Sequence, residues 1–119
     1  MPSLSLLIPD PALRGALSEQ LQKAGFGDVR EGADETVLTD TADQYLILDE
    51  EAADKKILKI LRETHNKKRI FFLGVLKNEG DENLITETFE KPLRLGHLLA
   101  RLQFYVQTAS FTAGAITFG

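Results

Sequence analysis

The apolar run Ile-Phe-Phe-Leu at residues 70–73 constrains the fold more strongly than any other feature of the chain. It has no polar alternation, which is typical of a central parallel strand that is covered on both faces. The run Tyr-Leu-Ile-Leu at residues 45–48 has the same character. A third apolar run, residues 4–8, ends at Pro9 and is too short for a useful helix. These runs predict the buried strands of one parallel sheet.

Helical patterns lie between the predicted strands. Asp10 ahead of Pro11 is a typical helix start, because an aspartate caps the first turn and proline fits its first position, and Gly25 is a typical stop. Apolar side chains recur at helical spacing in three segments, residues 11–24, 53–64 and 93–106.

The remaining segments complete an alternating order. Residues 26–30 and 85–89 predict a second and a fifth strand, and residues 33–41 a short helix. Residues 76–84 are too short and too rich in turn residues for a full crossover helix. Because strands and helices alternate, the right-handed crossover rule predicts an α/β chain with a flavodoxin-like, doubly wound, five-stranded parallel sheet. Its fourth crossover helix is shortened or lost.

Composition narrows the class of protein. A chain of 119 residues suits one domain, which we place at residues 1–107, and no apolar stretch approaches the roughly 18 residues of a membrane span. The absence of cysteine excludes disulfides and agrees with a cytoplasmic protein. A net charge of −4 argues against direct binding to nucleic acid, since phosphate contacts need clustered lysine and arginine.

Residues at two predicted strand ends then point to a family. Asp49 closes the third strand, and Lys91 and Pro92 follow the fifth. With this order and spacing, the chain resembles the receiver domain of two-component response regulators over about residues 4–107. The other stretches that carry the resemblance are residues 7–21, Gly25-Phe26, residues 45–49 and Glu90-Lys91-Pro92 with Leu98, Leu99 and Leu102.

The resemblance implies roles for three residues. In such receivers an aspartate after the third strand accepts a phosphoryl group, a serine or threonine after the fourth contacts it, and a lysine after the fifth pairs with it. Asp49 matches the acceptor and Lys91 the cation that phosphoryl transfer needs beside the transferred oxygens. Gly74 replaces the hydroxyl residue. Alternatively, Asp49 is a structural acid that caps a loop or pairs with Lys91, whose bond to Pro92 is a candidate for the cis form.

The magnesium site of the family needs two carboxylates after the first strand, and this pair is incomplete. If the alignment is anchored on residues 11–14, Ile8 and Pro9 replace the two acids. If a one-residue deletion is allowed, Asp10 survives and Pro9 replaces its partner. Both alignments leave at most one acid, so the sequence predicts no metal and no cofactor.

Glu50 and Glu51 add negative charge directly after Asp49, where an anionic phosphodonor would approach. Each close like-charge pair near a surface costs on the order of 1 to 4 kcal/mol. We therefore predict a receiver whose phosphorylation chemistry has decayed, with no catalytic residues. The alternative is a phosphoacceptor receiver of a two-component phosphorelay, with Asp49 phosphorylated. A flavodoxin-like enzyme ranks third, since no glycine-rich phosphate turn follows the first strand. The vestigial site residues are Asp49, Lys91, Gly74 and Asp10.

The last predicted helix carries a second candidate surface. Its apolar stripe consists of Leu95, Leu98, Leu99, Leu102 and Val106. The opposite side presents an aromatic residue beside arginine and histidine, which is a plausible anchor for an interface. We predict a homodimer that uses His97, Arg101, Phe104 and, at the edge of the stripe, Tyr105.

Residues 108–119 carry no charge and predict a linker or the start of a following domain, with a strand at residues 115–119. In the largest branch of the family, a linker at this point leads to a winged-helix DNA-binding domain. The resemblance therefore implies a transcriptional response regulator that acts in dimerisation or partner binding independently of phosphorylation. DNA would be contacted only through the following domain, and a histidine kinase or another protein would be the partner.

Overall fold

The computed structural model describes residues 3–26, 28–33, 38, 45–64, 69–77 and 82–118. Its five strands form one parallel sheet, and the helices pack on the two faces of that sheet. The strands are β1 (Ser3–Leu7), β2 (Asp28–Gly32), β3 (Tyr45–Asp49), β4 (Arg69–Leu73) and β5 (Glu87–Phe89). The helices are α1 (Pro11–Lys23), α2 (Lys55–Thr64) and α3 (Leu95–Phe118).

The strand order β2-β1-β3-β4-β5, with parallel pairing between all neighbours, confirms the predicted fold class. Successive side chains of a strand point to opposite faces. Accordingly, Ile47 and Phe71 pack with α1 and α3, whereas Leu46 and Phe72 pack with α2. Covering both faces with apolar side chains explains why the runs at residues 45–48 and 70–73 lack polar alternation.

Helix α1 begins and ends where the sequence predicts. The Asp10 carboxylate accepts a hydrogen bond of 3.0 Å from the Ala12 N–H, and Pro11 occupies the first turn. Gly25, with φ +105°, lies just beyond the helix in a conformation that favours glycine. The cap also fixes where the Asp10 side chain points, because its carboxylate is turned toward its own helix.

The connection between β4 and β5 is short, as predicted. In its described residues, 74–77 and 82–86, the structure contains a three-residue 3-10 helix, Glu82–Leu84. Leu84 is buried beside Leu58 and Phe72 on the α2 face of the sheet. A few apolar side chains therefore cover the surface that a longer helix would otherwise bury. Of the short helix predicted at residues 33–41, residues 34–37 and 39–41 lie outside the described residues.

Helix α3 is longer than predicted, since it continues to Phe118. The strand predicted at residues 115–119 is therefore wrong for residues 115–118, and Gly119 lies outside the described residues. No proline interrupts this segment, so helical hydrogen bonds can continue from the preceding turns. That residues 108–119 form a linker or the start of a following domain stays a prediction. Among the described helices, none is long and apolar enough to cross a membrane.

Candidate functional site

The candidate site lies at the carboxyl edge of three adjacent strands. Asp49 ends β3, Gly74 follows β4 and Lys91 follows β5, and β3, β4 and β5 are neighbours in the sheet. Parallel strands bring their carboxyl ends to the same edge, which is where such sheets form their crevices. Lys91 Nζ lies 2.9 Å from Asp49 Oδ1, so the predicted pairing is present. The Lys91-Pro92 bond, a candidate for the cis form from the sequence, is cis.

Asp49 is enclosed by protein, with only 1% of its side chain exposed. Its Oδ1 accepts hydrogen bonds from Lys91 Nζ and from the Glu51 N–H at 3.0 Å. Its Oδ2 is buried and has no hydrogen-bond partner among the described residues. Buried polar atoms in proteins are nearly always paired, so this oxygen is exceptional. The carboxylate is thus fixed through one oxygen, while the other lies sealed from solvent.

Lys91 is held by several acids at once. Its Nζ lies 3.8 Å from Glu50 Oε1 in addition to its bond with Asp49, and 31% of its side chain is exposed. Burial alone lowers the pKa of Lys91. The hydrogen bond to Asp49 and the charges of Asp49, Glu50 and Glu51 together outweigh that effect, so the pKa is raised above its ordinary value of 10.5. Lys91 is therefore a charged amine at neutral pH.

Glu50 belongs to the site itself. Its Oε2 accepts a hydrogen bond of 2.6 Å from the Val75 N–H, just beyond β4, and its own N–H donates to the Leu73 carbonyl at 2.9 Å. The sequence alone predicts Glu50 as a charge that repels a phosphodonor, and it does not reveal this contact with Val75. The contact joins residues 25 positions apart, and no local pattern marks such a pair.

Gly74 meets two separate requirements. Its φ of +112° lies where side-chain-bearing residues are rarely found, and its N–H donates to the Phe89 carbonyl at 2.8 Å. A Cβ built on Gly74 would collide with the carboxylate of Glu50. Glycine is therefore needed both for the backbone conformation and for the space that the Glu50 side chain fills.

The end of β1 does not supply a metal site. Asp10 is exposed and caps α1, and Pro9 has no side-chain donor. Arg14 Nη1 instead donates to the Ile8 carbonyl at 2.8 Å, which brings a cation to this strand end. In the described part of the chain, no group of three or more histidine or acidic residues could hold a metal ion. The described residues at this strand end therefore supply one exposed carboxylate, Asp10, and not the pair that the resemblance requires for magnesium.

Comparison with known proteins supports the fold. No protein-family model matches the chain, and no curated protein matches it. The receiver domain of Francisella response regulator 1452 has a TM-score of 0.73 and 16% identity, over 91% of this chain and 99% of that chain. The chemotaxis response regulator CheY4 of Vibrio cholerae has a TM-score of 0.68 and 18% identity, over 87% and 97%. NtrX from Brucella abortus has a TM-score of 0.74 and 14% identity, over 97% and 28%. The chain has the receiver fold.

The outer face of α3 in this receiver fold carries the second predicted surface. Phe104 is 49% exposed, and the Arg101 guanidinium carbon lies 4.8 Å from the centre of its ring. Arg101 Nε donates to both oxygens of Glu87, at 2.8 and 3.1 Å. Tyr105 packs edge-on against Phe104 at 5.5 Å and against the buried Phe71 at 5.4 Å. The structure thus brings Arg101, Phe104 and Tyr105 together.

His97 lies apart from that cluster, nearer to the carboxyl edge of the sheet. Its ring is edge-on to Phe89 at 5.4 Å, and its side chain borders a cavity of about 460 Å³ that also includes Lys91 and Pro92. Thr88 is exposed and lines the same cavity. His97 therefore shares a cavity with Lys91.

Proposed function

We propose that the chain is a regulatory, receiver-like domain of a transcriptional response regulator that acts in dimerisation or partner binding without phosphorylation. One observation carries this proposal, the enclosed carboxylate of Asp49. An acceptor must present a carboxylate oxygen to the phosphodonor, whereas Asp49 is 1% exposed and its Oδ1 is engaged by Lys91 and the Glu51 N–H. The free oxygen, Oδ2, is buried.

The electrostatics of the site support the same proposal. Phosphoryl transfer brings further negative charge to the acceptor and needs cations to stabilise it. Lys91 is shared by Asp49 and Glu50, and Arg14 is directed to the Ile8 carbonyl. Gly74 offers no hydroxyl. A phosphoryl group on Asp49 would therefore adjoin the Glu50 carboxylate without the compensating groups that the family uses.

We expect no phosphorylation when the protein is incubated with magnesium and a small phosphodonor such as acetyl phosphate. The intact mass should stay unchanged, because neither the metal ligands nor an accessible acceptor oxygen is in place. Mass spectrometry under conditions that preserve acyl phosphates is the measurement. A receiver domain with an intact acid pair, treated in parallel, shows that the reagents work.

A competing function receives support from one contact. Lys91 Nζ lies 2.9 Å from Asp49 Oδ1, which is the pairing that a phosphoacceptor receiver needs. On that alternative, a histidine kinase would phosphorylate Asp49 after the loop of Glu50 and Glu51 moves. A phosphorylated product that disappears in the Asp49→Asn variant would establish the alternative and end the phosphorylation-independent proposal.

The surface proposed for assembly is the outer face of α3. Its exposed ring, Phe104, is oriented by contact with Arg101 and Tyr105. Tyr105 in turn packs on Phe71 in the core, so the surface is attached to the rigid sheet. Aromatic and arginine side chains that are fixed before association lose little conformational entropy when they bind, which favours their use as anchors. We propose that a second copy of the chain covers this face.

Phe104→Asp should shift the protein from dimer to monomer at micromolar concentration without unfolding it. The substitution replaces an exposed ring by a charge that a dimer interface would have to desolvate. Sedimentation velocity measures the shift, and circular dichroism checks the fold. Arg101→Glu is a poorer choice, because the new carboxylate would face the carboxylate of Glu87 and repel it.

Ala16→Asp is the matched control, since it adds the same charge at an exposed position of α1. It should leave the sedimentation coefficient unchanged. If Phe104→Asp and the unaltered protein sediment alike, α3 is not the dimer interface. In that case a different protein partner becomes the better proposal for this face.

DNA binding, in this proposal, belongs to another part of a longer protein. The chain carries a net charge of −4, and duplex binding depends on clustered positive charge. The match to NtrX covers 28% of that chain, so a segment of this fold also occurs within a longer protein. The receiver-like domain would contribute by pairing two copies of the protein on DNA.

A further inference from the structure

The Glu50 carboxylate lies in a crevice between Val75, just beyond β4, and Lys91, just beyond β5, and 32% of its side chain is exposed. Its Oε2 is bonded to the Val75 N–H, its Oε1 lies 3.8 Å from Lys91 Nζ, and its side chain fills the space beside Gly74. We propose that Glu50 is the resident anion of this crevice, an internal ligand that closes the site to anions from solution. This inference rests on the proposed function and gives a reason for the independence from phosphorylation.

The Val75 N–H gives the crevice its affinity for an anion. A hydrogen bond from a backbone N–H to a carboxylate is stronger than one between neutral groups, and the Val75 N–H donates such a bond to Glu50 Oε2. Lys91 supplies the positive charge on the opposite side. A small oxyanion would bind here through a backbone donor and a lysine. The Glu50 carboxylate already occupies both of these groups.

Charge balance explains why the internal ligand excludes others. Lys91 contacts both Asp49 and Glu50, so one positive charge faces two negative charges. An external anion could bind the Val75 N–H only after Glu50 withdrew from it, and it would then lie near the Asp49 carboxylate. The crevice is thus closed because Glu50 occupies it and because the negative charges of Asp49 and Glu50 repel a further anion.

The glycine at residue 74 agrees with the proposal that Glu50 is the resident anion. A residue with a side chain would occupy the space of the Glu50 carboxylate, since even a Cβ collides with it. The absence of a hydroxyl at residue 74 and the presence of an acid at residue 50 are therefore one linked arrangement. A hydroxyl at residue 74 would contact an external anion. The site has no such hydroxyl, and the carboxylate of Glu50 takes the place of the anion.

Removal of Glu50 should open the crevice to inorganic phosphate. The test uses the Asp49→Asn background, which frees Lys91 from its main partner and removes the proposed phosphoacceptor. In that background, Glu50→Ala is compared with Glu51→Ala, which deletes the same charge from an exposed neighbour. Phosphate is titrated while the amide resonances of Gly74 and Val75 are followed by NMR.

We expect saturable shifts of both amides in the Glu50→Ala protein and a phosphate affinity at least about tenfold higher than in the Glu51→Ala protein. Equal affinities, or no binding to either protein, would overturn the proposal. Because Asp49 is absent from both, the result does not depend on whether Asp49 can be phosphorylated in the natural chain. Should the Glu50→Ala protein fail to fold, Glu50→Asp withdraws the carboxylate while keeping its charge, and an unchanged Val75 amide resonance would then refute the contact.

Discussion

Lys91→Met should lower the free energy of unfolding by about 3 kcal/mol, whereas Asp49→Asn should lower it by about 1 kcal/mol or less. The asymmetry follows from burial, since 1% of the Asp49 side chain is exposed against 31% of Lys91. Loss of the lysine leaves an enclosed carboxylate without a counter-charge, which for buried pairs costs about 3 to 5 kcal/mol. The lower end of this range applies here because Asp49 Oδ1 would still accept the hydrogen bond from the Glu51 N–H. Loss of the aspartate leaves Lys91 in contact with solvent and Glu50.

Chemical denaturation at neutral pH provides both values. Lys55→Met, at an exposed position of α2, is the control for replacing a lysine by methionine and should change the free energy of unfolding by about 0.5 kcal/mol or less. Equal losses for Lys91→Met and Asp49→Asn would contradict the argument, because they would mean that both charges are solvated to the same extent.

The Asp49–Lys91 pair also makes the free energy of unfolding depend on pH. The pKa of Lys91 in the folded protein is raised above 10.5, so the folded state favours the protonated amine. The stability that Lys91 contributes is fully present below the pKa of the unfolded chain and declines as the pH rises through the folded value. Between pH 7 and 9 that contribution is constant. Above about 10.5 the natural chain should lose stability toward that of Lys91→Met.

The sheet could be predicted from the sequence because its signals are local. The apolar runs at residues 45–48 and 70–73 are buried on both faces, and Asp10, Pro11 and Gly25 mark the ends of α1 by their backbone preferences alone. Asp49 and Lys91 could be assigned to one edge because parallel strands align their carboxyl ends. Each of these inferences needed only periodicity, capping or topology.

Two features could not be predicted from the sequence. One depends on a contact between distant segments, and the other on weak local preferences. Glu50 looked like a solvent-exposed charge, and only the position of Val75 beyond β4 shows that its carboxylate is bound. The segment from residue 108 to 118 has small and β-branched residues whose preferences do not separate helix from strand. Continuation of α3 decided its structure.

Gly74→Ala should destabilise the protein by several kcal/mol, for two separable reasons. The φ of +112° imposes strain on alanine that is worth about 1 to 3 kcal/mol. The added Cβ also collides with the Glu50 carboxylate, and overpacking of this kind costs typically about 1 to 3 kcal/mol. Gly15→Ala is the matched control, because a Cβ there meets no atom within 4 Å and lies on helix α1. It should stabilise the protein by up to about 1 kcal/mol.

A double-mutant cycle with Glu50→Ala separates the two terms for Gly74→Ala. Without the Glu50 carboxylate the collision disappears and only the backbone strain remains, so Gly74→Ala should cost about 1 to 3 kcal/mol less in the Glu50→Ala background than in the natural chain. Denaturant unfolding of the four proteins gives this coupling energy. A coupling energy near zero would mean that the Glu50 side chain lies elsewhere in solution. A coupling of the expected sign would show that residues 50 and 74 are constrained by the same volume at the edge of the sheet.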